Sequence, residues 1–402
     1  MKRWIYPVLL CSTLCGCLGY WPTDYAAKAR VQNLASIAET DLQSSFANTG
    51  YQSWLAGSHY SSFLFDTWCA LEGDNSAFSA TQILGLIKQY MSLIGPDNQI
   101  PAAIQADGTT AVYYSGWDKA HLRPIAEGSL TMPLVELLYY QKSGSIAQFN
   151  TDASTLSAAL AGIPVNRTTY LVTITPGSEW IPWGFQEEAR FTGDVASASI
   201  MLYRAYNAMA TLYSAAGNSS AAAAALASAN LIASNISELW DSTNGMFYGA
   251  SIQNRQIDIL ASAMAVYSGI ASSSQQTAIS SWLVSNYSAI THLGFVRQSK
   301  GDWSTYGTLI TGGPPYGSVY GPGQYQNGYW AVGDRWIMQA MAQKSNSSAV
   351  QLVTDYLTNP NPLIEWMDVG NNSPGDACSV NLESPMGVSD FITAYPSLFP
   401  TS

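Results

Sequence analysis

Apolar residues recur three and four positions apart in one stretch after another of this chain, as in Ile200, Leu202, Tyr203, Tyr206 and Met209. That spacing lines one face of a helix, and the strict alternation of a half-buried strand is rare. It predicts helices over 26–46, 76–93, 124–142, 153–161, 194–216, 219–240, 258–270, 275–287, 329–344, 347–357 and 384–395. The Ser- and Ala-rich stretch 218–234 reads as helix rather than linker. Ala is the best helix former, and Leu226, Ala229 and Ile232 keep the spacing toward Ile236 and Leu239. Loops rich in Trp, Tyr, Gly and acidic residues separate the helices at 95–115, 173–193, 294–327 and 358–383. Eleven or twelve helices with a loop between each pair suggest an all-α toroid of helical hairpins; the alternative is an irregular all-α domain. No linker, low-complexity tail or domain break follows the N-terminal segment, so residues 20–402 are expected to form one domain.

Charged residues make up only 11% of the 402, against 47% hydrophobic. A charge-rich disordered chain is thereby excluded. With 16 Lys+Arg against 27 Asp+Glu, a net charge of −11 and no basic run, nothing is present to neutralise a phosphate backbone, and no nucleic-acid partner is expected. A neutral surface carrying 13 Trp and 24 Tyr suits a neutral, hydroxyl-rich ligand such as a sugar.

Met1-Lys2-Arg3 followed by the apolar run from Trp4 to Leu14 has the layout of a secretory signal peptide over residues 1–19. A signal anchor is the alternative, although the run is short for a membrane span. Leu14-Cys15-Gly16-Cys17 also resembles a bacterial lipobox, with Cys17 the residue to be lipidated. A secreted protein is therefore expected, with a cell-surface lipoprotein as the variant, and with no later membrane span. Six Asn-x-Ser/Thr sequons begin at Asn166, Asn218, Asn235, Asn286, Asn346 and Asn371, as fits a secreted glycoprotein. Beyond the leader only Cys69 and Cys378 remain, either two buried thiols or, in an oxidising compartment, a disulfide pair.

His59, His121 and His292 are scattered and no paired-Cys spacing occurs, so no zinc site is expected; calcium on loop carboxylates stays open. No Gly-x-Ser-x-Gly elbow is present, and Gly312-Gly313-Pro314-Pro315 lacks the Lys-Ser/Thr of a phosphate loop. No cofactor is expected. What remains is carboxylates embedded among aromatics, where burial beside an indole raises a carboxyl pKa toward acid catalysis. Glycoside hydrolysis requires two such groups.

Five clusters qualify. Glu187 and Glu188 follow Trp180 and Trp183 and precede a long helix; helix N-terminal capping is the other reading. Glu365 stands before Trp366-Met367-Asp368, or is simply a surface carboxylate. Asp66 lies in Phe65-Asp66-Thr67-Trp68-Cys69, just before a helix. Trp117-Asp118 leads to Arg123-Pro124, with Glu127 beyond, where Lys119 and Arg123 also suit surface ion pairs. Tyr329-Trp330 and Gly333-Asp334-Arg335-Trp336 are candidates for the site or for the core.

In order and spacing these clusters resemble the six-hairpin, (α/α)6-barrel glycoside hydrolases, most of all the glucoamylase-type inverting enzymes. The segment around Asp66 resembles the one whose aspartate holds sugar hydroxyls, with Phe65 where an arginine is expected. Asp118 to Arg123 resembles the second-hairpin Asp-Gly-x-x-Leu-Arg stretch, and Trp183 to Gly193 the Trp-Glu-Glu loop. Arg255-Gln256-Ile257-Asp258 resembles a further sugar-binding loop, and Tyr325 to Trp336 the Gly-Asn-x-Trp segment. The resemblance implies Glu187 as general acid and Glu365 as general base of an inverting hydrolysis. It implies Asp66, Trp117, Asp118, Arg123, Trp183, Glu188, Arg255, Asp258, Trp330 and Asp334 as substrate-positioning residues, with a poly- or oligosaccharide substrate. A monomer is expected. A non-catalytic carbohydrate-binding toroid and a polysaccharide lyase are the alternatives, the lyase disfavoured by the shortage of arginine.

Overall fold

Six helices close into a ring, each touching the next. The computed structural model describes residues 29–34, 36, 61–73, 78–95, 98–105, 107–113, 125–177, 191–253, 255–299, 328–360, 362, 366–367 and 383–398. The ring helices are α1 (Leu64–Gly73), α3 (Glu127–Ser143), α5 (Ala196–Ala215), α7 (Ile259–Tyr267), α9 (Asp334–Ala342) and α11 (Glu383–Ala394). Contacts run α1 to α3, α3 to α5, α5 to α7, α7 to α9, α9 to α11, and α11 back to α1. Outer helices α2 (Ala80–Ser92), α4 (Ala147–Ala161), α6 (Ser219–Asn235), α8 (Ser273–Ser285) and α10 (Asn346–Thr358) alternate with them along the chain and pack against them from outside. Residues 29–34 are also helical and precede α1. The architecture is an (α/α)6 toroid.

Inner and outer helices differ in ways their sequences dictate. Every residue of α7 from Ile259 to Val266 is buried, and four of these eight are Ala or Ser, small enough for neighbouring backbones to approach closely. Outer helices carry explicit start signals. Ser79 with Gln82 and Ser272 with Gln275 form complete capping boxes, and Asn218 and Ser345 cap α6 and α10. One continuous apolar cluster runs through all six ring helices.

Eleven short strands accompany the helices among the described residues, where the sequence shows few strand signals. Their pairing fixes the ring's polarity. Antiparallel β1 (Ser61–Phe63), β2 (Ala103–Gln105) and β3 (Ala111–Val112) join the start of α1 to the segment that leads into α3, with Phe63 opposite Ala103 and Ala103 opposite Val112. β4 (Thr173–Ile174) pairs with β5 (Gly193–Asp194), which leads into α5. Bridges Thr192–Gln253 and Val195–Ala250 tie that point to the start of α7, and Asp258–Ser299 ties α7 onward. β8 (Thr291–His292), β9 (Phe295–Arg297), β10 (Tyr329–Trp330) and β11 (Trp366–Met367) form the last sheet, which Trp330 joins to Val296 and Trp366. The hairpin β6 (Trp240–Asp241) and β7 (Met246–Phe247) follows α6. The sheets therefore gather the N-terminal ends of the ring helices at one end of the toroid. At the other end inner helices pass to outer ones through tight turns, at 144–146, 216–218 and 343–345.

Of the elements that differ from the sequence expectation, two bear on the site. Asp66 does not precede a helix but lies in the first turn of one, α1. Its neighbours Leu64, Phe65, Thr67, Trp68, Ala70 and Leu71 are all buried, and only Asp66, Cys69 and Glu72, three apart, are part-exposed, too narrow a stripe to stand out as a period. The expected helix over 329–344 starts only at Asp334, because Tyr329 and Trp330 are ladder partners in β10. No helix among the described residues is long and apolar enough to cross a membrane.

Candidate active site

Each ring helix opens on an acidic residue or follows one: Asp66, Glu127, Asp194, Asp258, Asp334 and Glu383. Carboxylates are favoured there because the helix dipole presents positive charge at its N-terminus, and the ring delivers these helix starts to one end. Their surroundings set them apart. Asp66 is half-buried, whereas Glu127, Asp258 and Asp334 are buried.

Asp194 has the most fully described environment. Its carboxylate accepts from Asn166 Nδ2 at 3.1 Å on each oxygen and from Thr169 Oγ1 at 2.8 Å. Its backbone N–H donates to Ser251 Oγ at 2.8 Å, and its carbonyl accepts from the Ser251 N–H at 2.9 Å. Gly193 makes this possible: at φ 82° it turns the chain into the helix, and a Cβ there would lie 2.2 Å from Ser251 Oγ. Residues 178–190, which carry Trp183, Glu187 and Glu188, leave from β4 and return to β5 beside this anchor.

Asp258 caps α7, accepting from the Ala261 N–H at 2.8 Å, and is 1% exposed. Asp334 begins α9 at 1% exposure, and its charge adds to burial in raising the Tyr356 hydroxyl pKa. Trp330 is fully buried in β10. Arg255 is exposed, with its guanidinium 4.9 Å from the centroid of the Tyr248 ring. Of the residues singled out from the sequence, the structure thus brings Asp66, Asp258, Trp330 and Asp334 to one end of the ring. Trp117, Asp118, Arg123, Trp183, Glu187, Glu188 and Glu365 lie outside the described residues, as does Cys378, the partner suggested for Cys69. Glu365 immediately precedes β11, which pairs with β10 just ahead of α9.

A second group lies inside the ring; its Trp68 and Arg335 stand in clusters quoted from the sequence, whereas Glu72, Arg204, Tyr267 and Asp390 were not singled out. Arg204 of α5 forms an ion pair with Glu72 of α1. Arg335 of α9 lies 3.6 Å from Glu72 and 2.9 Å from Asp390 of α11, and donates to the Tyr267 hydroxyl of α7. Arg204 also stacks on Trp68 at 4.7 Å and on Tyr267 at 5.2 Å. Five of the six ring helices thus meet in one polar network. Burial, reinforced by Glu72, raises the Tyr267 hydroxyl pKa above its ordinary value, so the phenol stays neutral. A side chain such as Arg204 in mid-helix, in a chain with only 16 Lys+Arg, is the sequence signal that could have pointed here.

Among the described residues no group of three or more His, Cys, Asp or Glu is placed to hold a metal ion. His292 packs against Tyr329, with ring centroids 5.4 Å apart.

No protein-family profile and no curated protein matches the chain. Solved structures do. The GH63 mannosylglycerate hydrolase from Thermus thermophilus, in complex with Tris, superposes with a TM-score of 0.62 at 12% identity over 90% of this chain and 100% of that one. A rhamnosidase from Klebsiella oxytoca with rhamnose bound gives 0.65 at 13% identity over 93% of this chain and 65% of its own length. A metal-independent alpha mannosidase of Streptococcus pneumoniae, in a non-productive complex with alpha-1,6-mannobiose, gives 0.61 at 12% over 93% and 95%. With the closed ring, the alternating inner and outer helices and the sheets gathered at one end, the chain has the six-hairpin glycosidase fold.

Proposed function

We propose that this protein is an exported glycoside hydrolase acting on a neutral poly- or oligosaccharide with inversion, with Glu187 as general acid and Glu365 as general base. The supporting observation is that the segments carrying both residues join strands at the same end of the ring. Residues 178–190 are bounded by paired β4 and β5, and Glu365 adjoins β11. An acidic residue at the start of every ring helix makes that end unfavourable for an anionic sugar and suits a neutral one, which speaks against a lyase acting on uronates. The solved structures of similar fold named above are glycoside hydrolases.

In this reading Glu187 gives its proton to the glycosidic oxygen as the bond from that oxygen to the anomeric carbon breaks. Glu365 takes a proton from a water molecule as the water oxygen bonds to the anomeric carbon from the opposite face. The products are a free alcohol and a sugar of inverted anomeric configuration. The water requires the two carboxyl groups to stand about 6.5–9.5 Å apart; a spacing of about 5–5.5 Å belongs to retention. The adjacent Glu188 carboxylate disfavours ionisation of Glu187, as an acid requires.

The test is hydrolysis of a panel of nitrophenyl glycosides and oligosaccharides, with NMR of the first-formed anomer, by the parent protein and by Glu187→Gln, Glu188→Gln and Glu365→Gln. The expected result is an inverted product, with the first and third variants folded and slowed by several orders of magnitude. Full activity of Glu187→Gln beside an inactive Glu188→Gln moves the acid by one residue. Activity in all three sinks the two-carboxylate mechanism. Export is tested by the mature N-terminus, expected near residues 18–22.

A further inference from the structure

The ring opens at the end where inner helices turn tightly into outer ones. Below the polar network its lumen is a cavity of about 370 Å³, lined by α1, α3, α5 and the C-terminal end of α7. That size falls among known small-molecule sites. One wall is aliphatic, formed by Leu134, Leu137 and Leu138 of α3. Facing chains add the rings of Tyr203 and Tyr267 and the polar side chain of Asn207. Gln141 and Thr211 are exposed where the cavity meets solvent. Glu72, Arg204 and Trp68 line its inner end.

The chemistry of that inner end selects a ligand class. Arg204 and Arg335 are balanced by Glu72 and Asp390, so no net charge draws an ion in. Arg204 is only 10% exposed, and its buried Nη1 has no hydrogen-bond partner; neither does the buried Trp68 Nε1. A buried donor left in this state is unfavourable, and both belong to side chains that line the inner end of the cavity. The partner must accept from a guanidinium beside a carboxylate. A ligand carboxylate meets repulsion from Glu72, and a ligand ammonium meets repulsion from Arg204. A hydroxyl group accepts from the guanidinium and donates to the carboxylate, and vicinal hydroxyls do both at once. The leucine wall and tyrosine rings suit the C–H faces of the same molecule.

We propose that this lumen is a second ligand site, for a neutral polyol of one or two sugar rings, at the end of the toroid opposite the loops that carry Glu187 and Glu365. It does not depend on the protein being a hydrolase, and its test does not use hydrolysis. The full chain, Thr211→Ala and Thr211→Trp are titrated calorimetrically with D-glucose and with sodium D-glucuronate, and crystals of each are soaked with D-glucose. Thr211 is exposed, so a tryptophan there narrows the opening without entering the core. Glucose is expected in the lumen of the parent and of Thr211→Ala, contacting Arg204. Thr211→Trp is expected to lose the density and to weaken that component of the titration by about tenfold or more. Glucuronate is expected to bind there in none of them. Water alone in the parent lumen at saturating glucose, titrations of Thr211→Trp and parent that superimpose, or glucuronate held as tightly as glucose each overturn the proposal.

Discussion

Arg204 and Glu72 pair inside the ring, from helices α5 and α1 that stand on either side of α3. Their side chains are only 10% and 15% exposed, so neither charge relies on bulk water. Removing one partner of a buried pair strands the other, at a cost of about 3–5 kcal/mol, whereas removing both is far less severe. Arg204→Met is expected near the lower end, because Arg335 stays within 3.6 Å of Glu72. Glu72→Gln leaves Arg204 and Arg335 together and is expected to be the more damaging. A double-mutant cycle by urea unfolding checks this: the combined variant should lose clearly less than the sum of the singles, and simple additivity rejects the coupling.

Gly193 carries the turn that delivers Asp194 to the start of α5. Gly193→Ala forces a side chain into φ 82° and against Ser251 Oγ. The left-handed backbone alone costs about 1–2 kcal/mol, and displacing Ser251 disturbs the bonds that hold Asp194. The variant is expected to melt several degrees lower. It is also expected to lose more in kcat/KM than the surface change Thr243→Ala, because residues 178–190 return to the ring at this point. A melting temperature equal to the parent's contradicts the assignment.

Helix number and order were legible because most helices keep a polar face. The helix α1 was hidden because burial of all but the narrow stripe Asp66, Cys69 and Glu72 masked its period, and with it the placement of Asp66 inside a helix. Tyr329 and Trp330 matched a helical pattern, yet a two-residue ladder with Arg297, Val296, Met367 and Trp366 outweighed propensity. Arg204 shows the deeper limit. Periodicity assigns a polar residue between apolar ones to solvent, and only closure of the ring turns that face inward to meet Glu72, Trp68 and Tyr267. Which end bears the loops was likewise unreadable from spacing, since it follows from strand pairing between residues far apart in the chain.

The sequons divide by geometry. Asn166 gives its amide to Asp194, and Asn235 and Asn286 donate theirs to the carbonyls of Leu231 and Trp282 at 2.8 and 2.9 Å. Asn218 and Asn346 are exposed, at the starts of α6 and α10, and no side-chain amide bond occupies them there. Expression through a eukaryotic secretory pathway, followed by glycopeptide mass spectrometry, is expected to find high occupancy at Asn218 and Asn346 and low occupancy at the other three. Full occupancy of Asn166 refutes this, because a glycan there requires the bonds to Asp194 to break.

Glu136 makes stability depend on pH. It lies in the middle of α3, 1% exposed, facing Asp152 of α4. Burial pushes its carboxyl up to about 9, and the neighbouring Asp152 pushes the same way. The folded protein therefore keeps this proton up to about pH 9, while the unfolded chain releases it near the ordinary carboxyl value of 4.5. Between those limits the native state binds one proton more than the unfolded state, so stability falls as pH rises. The contribution is complete below 4.5 and lost as pH climbs through the folded value. The slope from a single proton is at most about 1.4 kcal/mol per pH unit. Glu136→Gln keeps the shape of the protonated acid, offers its amide hydrogens to Asp152 and cannot ionise. Its melting temperature is expected to match the parent's at about pH 4.5 and to exceed it by a margin that widens toward about pH 8.5. A constant difference between the two curves would mean that Glu136 does not carry this proton.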